Sequence, residues 1–383
     1  MKINNIVLVS TTSDDISGAS KALIELACAL KERKLKVTVL LPDYGNLRYI
    51  FQKKGIKVKI FKEYSSWIKW KNDNKKKILK TSIKNCLNKI EILRIKHFFY
   101  REKPDLVHVN ALTAYTVAKA AEEMNIPVIW HIREFMEEDL GIKFSNKSFA
   151  LDVLNNATTF IAISKAIKAK WEKYIQSPIK VVYDGVPIDK YLVQTKKISN
   201  DTCKVILYGR FVKGKGQLFF LKGINKLIGL KKVNIQCYLA GKVEDKQYFD
   251  KCMKYIESQE LQNIVKYLGE IDNIKELLSD KDIVSVCSKQ EGFGRVTVEG
   301  MLGKCIVVAA NSGASGEIIT DGKTGLLYQS NNIDSFADKM YEAIKNKTSK
   351  ISENAQNYAK QQFSTQRNVD EIIKIYEKIG KNK

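Results

Sequence analysis

Short runs of β-branched and other apolar residues recur along the first half of the chain, separated by stretches with helical periodicity. Ile6–Ser10 predicts a strand, Ala19–Arg33 an amphipathic helix, and Val37–Leu41 the next strand. Lys57–Phe61, Leu106–Asn110, Val128–His131, Phe160–Ser164 and Lys180–Tyr183 continue the strand series. Apolar runs without strict alternation, divided by helices, predict a parallel sheet covered on both faces. Ser82–Arg101 predicts a further helix, with a period running through Ile83, Leu87, Ile90, Leu93 and His97.

After Asp184-Gly185-Val186-Pro187 the pattern loosens, and the polar, unpatterned Thr195–Asp201 reads as an interdomain linker. The alternation then restarts, with strands predicted at Lys204–Tyr208, Asn234–Ala240, Ile264–Leu268, Asp282–Cys287 and Cys305–Ala309, and a last helix at Thr365–Ile379. Two successive doubly wound α/β units imply a cleft lined by the carboxyl ends of both sheets. A length of 383 residues suits two such domains.

Charge adds a constraint on partners. The chain carries 65 basic and 42 acidic residues, a formal +23 that favours anionic partners. Only eight of the basic residues are arginine, which weakens a base-reading nucleic-acid role. The seven cysteines are scattered without a C-x-x-C, and there are three histidines, so neither a disulfide framework nor a structural zinc site is expected. The opening run MKINNIVLVS is too short for a signal peptide and no apolar stretch approaches membrane-spanning length, which predicts a cytoplasmic protein.

Three loops carry candidate chemistry. Thr11–Ser20 ends in Ser17-Gly18-Ala19-Ser20, a small-residue turn opening a helix, where backbone N–H groups can approach an oxygen-rich ligand. It is not the G-x-G-x-x-G of a dinucleotide site. Gly209-Arg210-Phe211-Val212-Lys213-Gly214-Lys215-Gly216 follows a strand and opens a helix, so Arg210 and Lys215 can converge on one diphosphate. A plain basic loop is the other reading, and the run is not a Walker A loop because Gly216 follows Lys215. In Glu291-Gly292-Phe293-Gly294-Arg295-Val296-Thr297-Val298-Glu299, two carboxylates stand eight positions apart around a Gly-x-Gly turn. On one helix that spacing sets them about 80° apart. The Gly-x-Gly turn instead predicts Glu291 on the loop and Glu299 in a helix beginning near Gly294, whose free N–H groups and dipole favour phosphate or sugar oxygens. Glu299 would then accept hydrogen bonds from a ribose diol; two solvated carboxylates are the alternative. His131, at a parallel strand's carboxyl end, is expected to face the cleft, whereas His108 reads as structural.

Taken together these residues resemble the retaining glycosyltransferases of the large GT4 family, which have the GT-B fold of two Rossmann-like doubly wound domains facing a central cleft. The matches run in the family's order through Ser17-Gly18-Ala19, Pro104–His108, His131, Tyr183-Asp184-Gly185-Val186, Gly209-Arg210 with Lys215-Gly216, Glu291 with Glu299, and Asn311–Leu327. Departures are Ser17-Gly18 for the family's Gly-Gly, Asp184 for its Asn, and Gly241-Lys242-Val243 for its Gly-x-Gly. The resemblance implies an acceptor-binding domain over 1–190, a nucleotide-sugar-binding domain over 191–363, and a helix at 364–383 crossing back to the first domain. It implies that Gly209, Arg210 and Lys215 hold the donor diphosphate and Glu299 the ribose. Glu291 would hold the donor sugar with the Gly292, Phe293 and Gly294 amides. His131 would contact the sugar from the first domain, and Ser17 and Gly18 would lie on the acceptor side. It further implies transfer from a nucleotide-diphosphate sugar to a saccharide acceptor, lipid-linked, in cell-surface polysaccharide synthesis, with no metal or cofactor. A sugar-nucleotide epimerase of the same fold is the near alternative; a basic nucleic-acid-binding protein is the distant one. Between Lys62 and Lys103 there are 13 basic and 4 acidic residues interleaved with Trp67, Trp70, Ile78, Ile83, Leu87, Ile90, Phe98 and Phe99. That mixture predicts peripheral contact with an anionic membrane.

Overall fold

The computed structural model describes residues 2–15, 17–64, 66–70, 78–196, 202–347 and 349–381. Two compact units emerge, one made of Met1–Gly185 with Thr365–Lys383 and the other of Val186–Ser364. The strands of the first unit are β1 (Asn5–Val9), β2 (Lys36–Leu41), β3 (Lys57–Ile60), β4 (Ile68–Trp70), β5 (Leu106–Val109), β6 (Val128–Ile132), β7 (Ile142–Phe144), β8 (Thr159–Ala162) and β9 (Ile179–Val181). Seven of them form a sheet in the order β3-β2-β1-β5-β6-β8-β9, every neighbouring pair parallel. The other two, β4 and β7, make a short antiparallel ribbon. Neither was expected: Ile68-Lys69-Trp70 and Ile142-Lys143-Phe144 each set a lysine between two apolar residues, too short an alternation to stand out.

The second unit contains β10 (Cys203–Tyr208), β11 (Ile235–Ala240), β12 (Val265–Tyr267), β13 (Ile283–Val286), β14 (Ile306–Ala310) and β15 (Leu326–Tyr328). These pair in parallel in the order β12-β11-β10-β13-β14-β15. In each sheet the order reverses direction once, between β1 and β5 and between β10 and β13. At such a point the loops leaving adjacent strands diverge and open a crevice at the carboxyl ends.

The linker read at Thr195–Asp201 is displaced, because the chain passes between units at Gly185–Val186. Residues 197–201 lie outside those described. The preceding segment is already tied into the second unit: Val193 N–H donates to the Leu302 carbonyl at 3.1 Å, and Gln356 Nε2 donates to the Val193 carbonyl at 2.8 Å. Lys196 Nζ reaches the carbonyls of Leu278 and Gly303 at 2.8 and 2.9 Å. A polar stretch is thus held by hydrogen bonds that no apolar pattern announces.

The helix Gly18–Glu32 begins where the Ser17 hydroxyl accepts from Ser20 N–H, and it buries Leu23, Leu26, Ala27 and Leu30. The C-terminal helix Thr365–Lys381 belongs to the first unit. Its Val369, Ile372, Ile375, Tyr376 and Ile379 recur at helical spacing and enter that unit's core beside Leu23, Leu26 and Leu30. Arg33 pairs with Asp370 at 2.6 Å along the edge.

The helix Ile78–Glu102 turns its visible apolar stripe the other way. Ile83, Ile90, Leu93 and Tyr100 are 58%, 52%, 65% and 73% exposed, while Asn88, Glu91, Ile95, Phe98 and Phe99 face inward. Asn88 tolerates burial because it accepts from Tyr64 N–H and donates to the Tyr64 carbonyl and the Ser66 hydroxyl. Among the described residues no helix is long and apolar enough to cross a membrane.

Burial and surface pairing should contribute unequally to the anchoring of the C-terminal helix. Ile372→Ala is expected to cost about 2–5 kcal/mol through the cavity left in the core, whereas Asp370→Ala should cost less than about 1 kcal/mol because its pair with Arg33 is solvent-screened. Chemical denaturation of both variants checks this; equal losses would mean that the ion pair anchors the helix as strongly as its apolar face does.

Candidate active site

In the second unit the loops leaving β10 and β13 flank the reversal of strand order, so the two richest motifs come together there. After β10 the chain passes through Gly209 and Arg210 into a single 3₁₀ turn, Lys213–Lys215, and then into the helix Gln217–Leu230. Gly216 makes that passage with φ +76°, and a Cβ there would lie 2.1 Å from the Cys287 carbonyl oxygen. Only glycine allows this loop to lie against the end of β13. Lys289 N–H donates to the Gly214 carbonyl at 3.1 Å, a second tie between the same loops.

Across this junction Lys215 Nζ donates to Glu291 Oε1 at 2.7 Å. Burial pushes the Glu291 carboxyl up, but the Lys215 charge and hydrogen bond outweigh it, helped by Ser288 and Arg210, and hold it below the usual carboxylate range. The Glu291 backbone is held as well. Its carbonyl accepts from Ala314 N–H at 2.9 Å, and Gly313, at φ +55°, lies so close that a Cβ there would stand 2.2 Å from it. Gly313 was missed as a site residue; it lies within the Asn311–Leu327 match, but only the fold brings it to Glu291.

Arg210 is in the same loop, yet its guanidinium turns to Glu244, with Nη1 3.0 Å from Oε2. Glu244, after β11, was not anticipated either: Glu244-Asp245 reads as an ordinary polar helix entry and carries no sequence signal for a site. Gly209 leaves β10 with its N–H donated to the Ala240 carbonyl at 2.9 Å. The helix Arg295–Leu302 starts directly after Gly294. Glu299 lies on its inner side, 6% exposed, and accepts from the Tyr208 hydroxyl at 3.2 Å. Glu299 is therefore not a solvated carboxylate. The Phe293 ring packs at 5.6 Å from that of Phe363, leaving the Gly292–Gly294 segment to offer backbone rather than side chains.

The remaining candidates lie in the first unit. Ser17 caps its helix and Gly18 is the first helical residue; the Ser17 hydroxyl also lies 2.7 Å from that of Ser20. His131 ends up buried, not facing open space. Its Nδ1 lies 3.1 Å from Nε2 of His108 and 3.3 Å from Nη2 of Arg133. Arg133 in turn donates through Nη1 to Asp184 Oδ1 at 2.5 Å and through Nε to Asn110 Oδ1 at 2.9 Å. Burial, then the Arg133 charge, pushes His108 down to about 3 and His131 also well below its ordinary value, so both rings are neutral. Among the described residues no group of three His, Cys, Asp or Glu is arranged to hold a metal ion.

Comparison with known proteins bears on the same two units. Residues 16–190 match the family described as Glycosyltransferase Family 4, and residues 192–362 match Glycosyl transferases group 1. Among curated relatives, the uncharacterized glycosyltransferase MJ1178 of Methanocaldococcus jannaschii is 29% identical over 230 residues, 59% of this chain and 61% of that protein. The capsular polysaccharide biosynthesis glycosyltransferase CapM of Staphylococcus aureus is 24% identical, over 74% of this chain and 80% of that one. The first of these relatives are thus matched over less than two thirds of their length. Among solved structures, Anabaena HepE, crystallised with UDP and glucose, superposes with a TM-score of 0.79 at 23% identity, covering 97% of this chain and 99% of that one. At that identity the likeness speaks for the fold. With two family matches that together span both units and neighbours of the same architecture, the chain belongs to the GT4 family of GT-B glycosyltransferases.

Proposed function

We propose that this protein is a retaining glycosyltransferase that moves a sugar from a nucleotide-diphosphate donor to a lipid-linked saccharide in the synthesis of a cell-surface polysaccharide. The observation that carries this reading is the Lys215–Glu291 pair at the strand-order reversal of the second unit, with Arg210 in the same loop. A diphosphate there would meet two cations and the N-terminus of the helix Arg295–Leu302. Lys215 and Arg210 are each paired with a carboxylate, at 2.7 and 3.0 Å, so an entering diphosphate competes with Glu291 and Glu244 for them. Released from Lys215, Glu291 becomes free to accept hydrogen bonds from sugar hydroxyls. Glu299 would accept from the ribose once the Tyr208 hydroxyl releases its Oε2.

For retention, the bond between the anomeric carbon and the diphosphate oxygen breaks with its electron pair going to the phosphate. The acceptor oxygen then bonds to the same face, and its proton passes to the departing phosphate. Arg210 and Lys215 supply the positive charge that this departure needs without calling on a metal. A nucleotide-sugar donor agrees with HepE, crystallised with UDP and glucose, and a polysaccharide product with the name of CapM. The acceptor side is carried by the helix Ile78–Glu102, whose exposed Ile83, Ile90, Leu93 and Tyr100 form one apolar face among lysines and arginines. Trp67, Phe98 and Phe99, counted above as membrane-facing, are core residues and take no part. The Trp70 and Ile78 side chains lie outside the described residues. We place the enzyme on the cytoplasmic leaflet through this face.

A thermal-shift screen against nucleotide sugars tests the donor: stabilisation by a nucleoside diphosphate and its sugar is expected. Donor consumption without acceptor would favour the epimerase, and salt-sensitive oligonucleotide binding in place of nucleotide stabilisation the nucleic-acid reading. Arg210→Ala or Lys215→Ala should lower turnover about 10²–10³-fold with the fold intact, since each deletes a charge-assisted contact to the leaving group. Wild-type turnover in either would remove the diphosphate role.

Glu291 should show a pH signature. With its folded value below the free one, the carboxylate's pairing stabilises the second unit above the pH where free Glu titrates, and is lost as pH falls through the lower, folded value. In Lys215→Met burial is opposed only by Ser288 and Arg210, so the Glu291 titration should move upward, read from its side-chain carboxyl resonance; an unmoved midpoint would dismiss Lys215 as its partner.

For the membrane, co-sedimentation with phosphatidylglycerol vesicles should fall at least tenfold in an Ile83→Ser, Ile90→Ser, Leu93→Ser variant and at high salt. Equal, negligible binding of the parent to anionic and neutral vesicles would leave a soluble acceptor as the better reading.

A further inference from the structure

A network of six side chains, His131 among them, runs through the first unit's interior. Tyr376 Oη, on the C-terminal helix, lies 2.6 Å from His108 Nδ1; His108 Nε2 lies 3.1 Å from His131 Nδ1; and Arg133 Nη2 lies 3.3 Å from that same nitrogen. Arg133 is fixed in turn by Asp184 and by Asn110, whose own amide donates to the Ala19 carbonyl at 3.0 Å. His108, His131, Asn110, Asp184 and Tyr376 are all less than 5% exposed, and Arg133 is 9% exposed.

Proton positions in such a chain are decided from the end that has no choice. A guanidinium carries five donors and no acceptor, so the nitrogen it faces must offer a lone pair. His131 Nδ1 is therefore bare, and the neutral ring carries its proton on Nε2. His108 Nε2 faces the same lone pair and must donate to it, which leaves His108 Nδ1 to accept the Tyr376 O–H. We propose that Arg133 is a positioning residue that fixes His131 as its Nε2–H tautomer, and that His108 and Tyr376 extend this single proton order to the C-terminal helix.

The last donor of the chain, His131 Nε2–H, has no hydrogen-bond partner among the described residues. A buried unpaired N–H is costly, and an oxygen acceptor brought to it recovers that cost. The purpose assigned here rests on the reading of the chain as a glycosyltransferase and on the donor-sugar role that the family resemblance implies for His131: this tautomer offers a ligand oxygen an N–H, where the other would present a repelling lone pair. The proton order itself depends only on the geometry.

Nitrogen-15 long-range spectra of histidine-labelled protein test it, with only three rings to assign. Both His131 and His108 should show a protonated Nε2 and a bare Nδ1, the other tautomer staying below about one tenth. In Arg133→Met the His131 signals should shift to comparable populations of both tautomers. A proton on Nδ1 of either ring in the parent protein overturns the proposal whatever becomes of the variant, as does a folded Arg133→Met with His131 still in one tautomer. If the parent spectrum agrees but His131→Ala leaves transfer rates unchanged, the proton order stands and it is the donor-sugar role that fails.

Discussion

Parallel pairing is the constraint from which the rest of this structure follows. Every neighbouring strand pair in both large sheets runs in the same direction, so each strand must be followed by a crossover and every strand's carboxyl end lies on one edge of its sheet. That geometry gathers Gly209–Gly216, Glu244 and Glu291–Gly294 at one edge of the second sheet although more than 80 positions separate the first of them from the last. In the first sheet it gathers Asn110, His131 and Arg133 in the same way. The reversal of order between β10 and β13 then parts two loops at one place, and a basic loop meets an acidic one across it.

The charges so gathered differ in what they contribute. Arg133 and Asp184 are a buried pair, and taking both out of water largely offsets their attraction, so the pair is poor evidence for stability. Removing one partner alone would leave an uncompensated buried charge, which is severe. Its value lies in orientation: the guanidinium has bonds to Asp184 and Asn110 in addition to its approach to His131, and so has little freedom to turn. Lys215 and Glu291 are more open to solvent, with side chains 29% and 12% exposed, so an entering anion can reach Lys215 and replace Glu291 as its partner. A fixed pair suits orientation, and a separable pair suits exchange with an anionic ligand.

Much of the fold was legible because parallel strands buried on both faces read as apolar runs, and because glycine loops that end them leave fixed marks. Apart from the ribbon of β4 and β7, the strands from Ile6 to Tyr183 and from Lys204 to Ala309 lie within a few residues of the apolar runs that predict them. The helix Ile78–Glu102 was found too, but its period picked out the solvent face: Ile83, Ile90 and Leu93 are apolar and exposed, while Asn88 and Glu91 are polar and buried. Periodicity reports that two faces differ and not which one is covered. Burial of Asn88 rests on Tyr64 and Ser66, 24 and 22 positions away, which no local window contains.

By itself, then, the sequence determined the alternation of strand and helix, the two-unit organisation, and the loops in which Arg210, Lys215, Glu291 and Glu299 stand. Those depend on local chemistry: β-branching, helical period, and the backbone freedom of glycine. Only the tertiary structure decided that Lys215 pairs with Glu291 while Arg210 turns to Glu244, that Gly313 holds the Glu291 backbone, and that His131 lies inside a hydrogen-bonded chain ending at Tyr376. Each of those is a pairing between residues far apart along the chain. Partners of that kind are selected by burial, which makes an unpaired polar group costly only once the chain has closed around it.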